Sequence, residues 1–285
     1  MISIITAIYN QLDMNKLFWE YLKKYTDSTF ELIIIDNCST DGSREFFESL
    51  SNENVILIAN KENYSYPHCQ NQGIKVAKYE NLVFLNNDLL VSPHWDSRML
   101  QVLGHDGHDV ISFGTNDRLV NKRISTKIHK HWKRIKYPVI TLFGQKTFSL
   151  KLMTYLCYGN WEKFTEKIFS TYGLSLCEGF SGSAIAMNRT AISKIGEWDI
   201  TQQGADFDIF YKTCDRSEKK GDIKPLAIIN GVYMHHFRRL TLYQKYPPFA
   251  DAANLCSNEE KWGQGSVDRW LEVINFTQDS LSQKA

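Results

Sequence analysis

The stretch Leu32-Ile33-Ile34-Ile35-Asp36-Asn37-Cys38-Ser39-Thr40-Asp41-Gly42-Ser43 reads as an apolar strand that stops at a polar turn. Four successive apolar residues with no alternation fit a strand buried on both faces of a parallel sheet. The Asp, Asn, Ser and Gly that follow are turn and capping residues, and Arg44 to Leu50 is the helix they are expected to cap. Working outward, the same pattern repeats. Ile2 to Ile8 is a β-branched strand followed by helical spacing over Leu12 to Tyr25; Val55 to Ile58 is a third strand; Asn71 to Lys78 looks helical; Leu82 to Leu85 is a fourth strand that ends at Asn86-Asn87-Asp88. Strands alternating with helices at this spacing are βαβ units, so the fold class is α/β, a mainly parallel sheet with helices on both faces. Ligands of such sheets gather outside the carboxyl ends of the strands. Tyr9-Asn10, Asp36-Asn37 and Asn86-Asn87-Asp88 are therefore expected to meet in one crevice.

Composition narrows the classes. The chain has 285 residues, 43% hydrophobic and 23% charged, which is enough apolar material for a sizeable core and excludes collagenous, coiled-coil and disordered classes. Residues 1–10 lack a basic n-region and a cleavage site, and no apolar run approaches the roughly 18 residues of a membrane span, so a soluble cytoplasmic protein is expected. The six cysteines form no CxxC pair and are expected to be reduced and mostly buried. There is no GxGxxG, no P-loop and no zinc-type spacing, and Gly179-Phe180-Ser181-Gly182 lacks the spacing of a nucleophile elbow.

The net charge of +1 conceals an uneven distribution. From Arg118 to Trp161 there are ten Lys/Arg and no Asp or Glu, which leaves 23 positive against 32 negative residues elsewhere. Such a segment favours an anionic partner, although a solvated basic surface reads the same way. The βα rhythm also lapses here. After a strand at Val110 to Phe113, residues 118–175 read as a basic and aromatic insertion with one or two imperfect amphipathic helices. Regular structure returns with a strand at Ser183 to Met187, a helix at Arg189 to Ile195, a turn at Gly196-Glu197-Trp198-Asp199 and a helix beginning near Asp206. A strand from Leu226 to Val232 leads to His235-His236, and a final helix covers Val267 to Phe276. The expected organisation is thus 1–117 and 176–245 as two halves of one domain, 118–175 as the insertion and 246–285 as a tail.

Several of these positions can carry chemistry. A buried strand ending in Asn86-Asn87-Asp88 delivers oxygen ligands to the sheet edge, where Mg²⁺ or Mn²⁺ is held by one or two carboxylates plus phosphate oxygens and water; a polar turn is the alternative. Asp36 can accept hydrogen bonds from a base or ribose, or cap its helix. Asp206 and Asp208 are two apart and do not share a helix face, so one can enter the crevice while the other caps or pairs with a cation. His235 and His236 end a strand near these carboxylates, where a neutral imidazole can bind a metal or pack structurally.

Together these segments resemble the family 2 glycosyltransferases, inverting nucleotide-sugar enzymes of GT-A fold. The resemblance rests on Ile4-Ile5-Thr6-Ala7-Ile8-Tyr9-Asn10, on Ile34 to Ser43, and on Asn63-Tyr64-Ser65-Tyr66-Pro67-His68-Cys69-Gln70-Asn71-Gln72-Gly73, where Ser65 replaces the family's first glycine. Asn86-Asn87-Asp88 stands where the Asp-x-Asp motif belongs and keeps its last carboxylate. Gly204-Ala205-Asp206-Phe207-Asp208 stands for Glu-Asp-x-Asp, with Ala205 in place of the glutamate. The likeness covers about residues 1–117 and 176–263. It implies Asp206 as catalytic base; Ala7, Tyr9, Asn10, Asp36, Asn71, Asn86, Asn87 and Asp88 as donor-binding residues; and Asp88 with His236 or His235 as metal ligands, Thr241 following as the family's Ser/Thr. Lys261-Trp262-Gly263 resembles the tail of rhamnosyltransferase-like members.

The implied reaction moves a sugar from a UDP- or dTDP-type donor, with Mn²⁺ or Mg²⁺, to a hydroxyl of a glycan or lipid-linked acceptor in surface polysaccharide synthesis. The basic segment 118–161 is compatible with an anionic membrane surface at the inner face, and secondarily with nucleic acid. A catalytically silent nucleotide-sugar-binding module is the reading from another class.

Overall fold

The apolar runs do form strands, and they share one sheet. The structure is a computed structural model that describes residues 1–119, 122–202, 204–238, 240 and 247–282. Strands β1 (Ile2–Ile8), β2 (Phe30–Asn37), β3 (Val55–Asn60) and β4 (Asn81–Leu85) lie parallel in the order β3-β2-β1-β4. They are linked by α1 (Leu12–Tyr25), α2 (Ser43–Glu48) and α3 (Tyr66–Val76). Beyond β4 the sheet continues through β8 (Ala184–Asn188), β6 (Val110–Thr115) and β9 (Ala227–His236). β8 runs against both its neighbours, whereas β6 and β9 are parallel. Two short strands that sequence reading did not anticipate, β5 (Leu89–Leu90) and β7 (Leu176–Glu178), pair antiparallel with opposite ends of β9. The reversal of β8 matters for function. It brings the N-terminal approach to that strand, Ser181-Gly182-Ser183, to the edge where the parallel strands end.

α3 begins five residues before the expected Asn71. Its start signal is Pro67 in the first turn after an extended Ser65, a residue with no N–H to donate to a helix hydrogen bond but with a backbone preset for entering one. The short helix α4 (Trp95–Leu100), also unanticipated, follows β5.

The insertion forms three helices rather than one or two: α5 (Lys122–Phe143), α6 (Thr147–Tyr158) and α7 (Trp161–Tyr172). Trp132, Leu150, Met153 and Trp161 are buried in the same apolar cluster as Ile4, Phe18 and Val83, so the insertion is part of the main core. Its aromatic residues divide. Tyr158 and Trp161 pack on Tyr233 of β9, with the Tyr158 hydroxyl 2.9 Å from that of Tyr233, and Trp161 Nε1 donates to the Val91 carbonyl at 3.1 Å. Others remain at the surface. On the opposite face of the sheet, α8 (Arg189–Ile195), α9 (Ala205–Lys220) and α11 (Gln264–Ser282) cover Phe84, Ile185 and Met187. The cysteines are all unpaired; three are buried and three half-buried.

A buried carboxylate anchors the short helix of the tail. Asp208, fully buried in α9, accepts from Lys261 Nζ at 2.7 Å and from Trp262 Nε1 at 2.8 Å, both on α10 (Asn258–Trp262). Lys212, one turn along α9, stands 3.5 Å from its other oxygen. Lys261 also reaches Asp199 at 2.7 Å, which ties the turn after α8 into the same cluster.

α3 lies close enough to β1 that a Cβ on Gly73 would run into Ile5 Cγ2 and would stand 3.3 Å from Ile35 Cδ1. Helix propensity alone makes Gly73→Ala stabilising by about 1 kcal/mol, but overpacking costs about 1–3 kcal/mol. We expect a net loss of stability, read as a lower urea midpoint at unchanged m-value.

Candidate active site

Three strand ends and one histidine build the centre of the site. β4 leads into Asn86-Asn87-Asp88, β6 into Asn116-Asp117, and β9 ends at His236. Asn116 fixes the last of these through its side chain, accepting from the His236 backbone N–H at 2.7 Å and donating to its carbonyl at 3.0 Å. The imidazole lies between two carboxylates, Nδ1 at 2.6 Å from Asp117 Oδ2 and Nε2 at 3.3 Å from Asp88 Oδ2. Burial alone would push His236 down, but Asp88 and Asp117 outweigh it and raise the imidazole to about 10. Burial works to raise Asp117, and its hydrogen bond to His236 prevails and holds the carboxyl below its ordinary value. Arg238 Nη1 contacts the other oxygen of Asp117 at 3.1 Å.

Asp88 Oδ1 is buried and has no hydrogen-bond partner among the described residues. An orphaned carboxylate oxygen beside an imidazole whose far nitrogen is fixed by a second carboxylate suits a divalent cation. Among the described residues no group of three or more His, Cys, Asp or Glu converges. Among the described residues Asp88 and His236 are brought together, and so small a protein share suits Mg²⁺ or Mn²⁺ when diphosphate oxygens and water complete the shell.

The two histidines part company because successive strand residues face opposite ways. His235 is wholly buried against Trp132 and Phe237, its Nδ1 2.8 Å from the Tyr158 hydroxyl, and burial followed by the charge of His236 pushes it down to about 3. The expectation of His235 as an alternative metal ligand is corrected: His235 is a core residue. Thr241 lies outside the described residues.

Two cavities flank this centre. The first, of about 320 Å³, is walled by Ala7, Tyr9, Asn37, Tyr64, Asn87 and Asp88, with Phe249 of the tail at its rim. The tail segment is held there by Asn63, which donates to the Pro247 carbonyl at 2.8 Å, and by Asp251, which accepts from the Ser65 backbone N–H at 2.9 Å and from its hydroxyl. That contact gives Ser65 a role no glycine could fill. The second cavity, of about 570 Å³, is lined by Asp117, Arg118, Phe180, Gly182, Asp206 and His236. Tyr66 and Asn86 line both, so the two are halves of one cleft. The Tyr66 hydroxyl is buried without a partner among the described residues, and burial raises it well above the usual phenol range. A basic bay of about 350 Å³ opens off the second cavity, sharing Asp117, Arg118 and Arg238 with it and adding His129, Lys130 and Lys133 of α5. Burial and then Lys133 hold His129 below its ordinary value.

Asp206 stands in the first turn of α9 facing the second cavity, whereas Asp208 faces inward to the tail. Burial raises Asp206, partly opposed by the N–H groups of Phe207 and of Asp206 itself. Its carboxylate lies against Gly182, where a Cβ would collide with Oδ2.

Three expected donor ligands are placed elsewhere. Asp36 is fully buried with both oxygens engaged, one by the Ser39 N–H at 3.1 Å and the other by Arg44 Nε at 2.6 Å, so it braces its own turn while Asn37 faces the cavity. Asn71 clasps the Trp198 backbone through both its amide atoms, at 2.8 and 3.1 Å. Asn10 adopts a left-handed backbone (φ 56°) and accepts from the Thr40 N–H at 2.7 Å, which shapes the loop behind Tyr9. Ala7, Tyr9, Asn86, Asn87, Asp88, Asp206 and His236 do meet in the cleft. Sequence reading placed Asn37 in the crevice without giving it a role, and it missed Tyr66, Asp117, Arg118, Gly182 and Arg238. Asn116-Asp117-Arg118 carried a usable signal, a polar run after a β-branched strand like those after β2 and β4.

Similarity to known proteins agrees with this geometry. An uncharacterized glycosyltransferase of Haemophilus influenzae is 33% identical over 103 residues, which are 36% of this chain and 34% of that one. The poly-beta-1,6-N-acetyl-D-glucosamine synthase of Staphylococcus aureus is 30% identical over 37% of this chain and 26% of its own length. The matched region thus spans about a third of these relatives. The mannosyltransferase PcManGT of Pyrobaculum calidifontis, solved with GDP-Man and Mn²⁺, superimposes over 96% of this chain and 75% of its own with a TM-score of 0.54 at 13% identity, a likeness of fold. The profile of glycosyl transferase family 2 matches residues 3–195, and the chain belongs to that family.

Proposed function

We propose that the protein is an inverting glycosyltransferase that moves a sugar from a nucleoside-diphosphate donor to an acceptor hydroxyl in the synthesis of a surface glycan or polysaccharide. The observation that carries this reading is the divided cleft: Asp88 faces one half, Asp206 the other, and Tyr66 and Asn86 form the wall between. The donor occupies the half lined by Ala7, Tyr9, Asn37 and Asn87, where the Tyr9 and Tyr64 rings and the two amides suit a pyrimidine base of UDP or dTDP type. The Lys261-Trp262-Gly263 tail supports placing the chain with rhamnosyltransferase-like members.

In the acceptor half, Asp206 takes the proton of the attacking hydroxyl. The acceptor oxygen forms its bond to the anomeric carbon as the carbon–oxygen bond to the diphosphate breaks on the opposite face. Burial suits Asp206 to this task, because a base whose pKa approaches the working pH transfers protons most effectively. Asp88 and His236 would hold a divalent cation, Mn²⁺ or Mg²⁺, which would supply Lewis-acid stabilisation to the departing diphosphate. Asp117 keeps Nδ1 of His236 occupied and so presents Nε2 toward Asp88. The basic bay beside the acceptor half supports an acceptor that carries negative charge.

Asp206→Asn tests the assignment of the base. Transfer, followed by release of nucleoside diphosphate in the presence of acceptor and Mn²⁺, should fall by about 10²–10⁴-fold, with nucleotide affinity retained; equal loss of both would refute it. Because the base works as the carboxylate and burial raises its pKa, kcat/KM should fall as pH drops through that raised value. The acid limb then lies above the ordinary aspartate range, and it should vanish from the residual activity of the Asn variant. A smaller displacement of the same group is available at Gly182→Ala, which pushes the carboxylate aside: kcat should drop while the thermal shift induced by UDP with Mn²⁺ persists. Lys130→Glu with Lys133→Glu should raise KM for an anionic acceptor and leave KM for the donor unchanged; the opposite pattern would remove the acceptor from the basic bay.

A further inference from the structure

Eleven large apolar side chains are exposed among the described residues, and six of them fall between Tyr137 and Leu156. Leu142 is 73% exposed, Phe143 50%, Phe148 64% and Tyr155 66%. They occupy the end of α5 and the outer side of α6, the two arms of a hairpin whose turn is Gly144-Gln145-Lys146. On α6, Phe148 and Tyr155 are seven residues apart and share one stripe, with Leu156 beside it. The Phe143 and Phe148 rings meet edge to face at 6.1 Å across the tip, so the two stripes form one continuous surface. By contrast Trp161 and Phe164, in the same aromatic stretch, pack inward against Tyr233.

The charge carried by the hairpin itself has one sign. No Asp or Glu occurs between Arg118 and Trp161. Lys127, Lys130, Lys133 and Arg134 are exposed on α5, and Lys146 and Lys151 on the α6 side. Lys146 and Lys151 have acidic neighbours on α1, Asp13 at 3.7 Å and Glu20 at 2.7 Å. None of the described helices is long and apolar enough to cross a membrane.

We infer that the tip of the α5–α6 hairpin docks this protein on an anionic lipid surface, with Leu142, Phe143, Phe148 and Tyr155 entering the interfacial layer and the lysines and arginines of α5 meeting the headgroups. Exposed apolar residues flanked by cations are what the boundary of an anionic bilayer accommodates, and each basic residue near it adds to the attraction. A second copy is a poorer occupant. A twofold contact places the same acid-free segment against itself, which sets like charge against like. Docking of this kind does not depend on whether sugar transfer occurs, so it fails or holds separately from the proposed reaction.

The test is co-sedimentation of the full chain with vesicles of phosphatidylglycerol and phosphatidylcholine, against vesicles of phosphatidylcholine alone. Binding should be at least tenfold stronger to the anionic vesicles and should weaken as salt rises. Leu142→Ser with Phe143→Ser and Phe148→Ser should reduce it tenfold or more, as should Lys127→Glu with Arg134→Glu. Because these side chains are exposed, both variants should keep the parent Tm and the UDP-induced thermal shift. Absence of binding to anionic vesicles, or binding indifferent to the apolar substitutions, would overturn the inference. So would a dimer in sedimentation velocity that the triple substitution dissociates without any vesicle binding in the parent.

Discussion

His236 lies between Asp88 and Asp117, and through them the ends of β4, β6 and β9 are held at one point. That arrangement depends on a topological constraint. Parallel strands place all their carboxyl ends on one edge, so residues nearly 150 positions apart in the chain come within reach of one imidazole. The two carboxylates, one buried and one half-buried, draw positive charge into their midst, and the imidazole supplies it. The same edge receives Ser181-Gly182-Ser183 only because β8 runs backward. Without that reversal Asp206 would lack the glycine against which it rests.

The core explains why this edge keeps its shape. Apolar faces of α1, α5, α6 and α7 cover one side of the sheet, and α3, α8, α9 and α11 cover the other. The insertion is integral to this packing. Trp132 and Tyr158 meet His235, and so brace β9 one residue before His236 faces the cleft. A buried neutral histidine and a half-buried charged one stand side by side because strand alternation gives them different surroundings: hydrocarbon and a phenol for His235, two carboxylates for His236.

Much of the fold was readable from unalternating apolar runs, since Leu32 to Ile35 and Leu82 to Leu85 need burial on both faces. The cleft was readable where a strand end carried a polar tip, as with Tyr9, Asn87 and Asp88. It was less readable where the same kinds of residue serve the backbone: Asp36, Asn10 and Asn71 have the chemistry of ligands and are used to hold turns. Composition cannot separate those uses, because a carboxamide offers the same donor and acceptor to a ligand as to a loop. Short strands such as β5 and β7 escaped because two or three residues carry no period. The division of labour between Asp206 and Asp208 was legible from helix geometry alone, while the partners of Asp208 were not, since Lys261 and Trp262 lie more than 50 residues away.

That last pairing reaches beyond the cleft. One turn of α9 presents its first carboxylate to the larger cavity and buries its second under the tail. The orientation of the helix start is thereby set jointly by the sheet beneath it and by an indole and an ammonium lying on it. Lys261 and Trp262 thus bear on the cleft wall through α9 although neither borders the cleft, and a survey restricted to cleft-lining residues would overlook both.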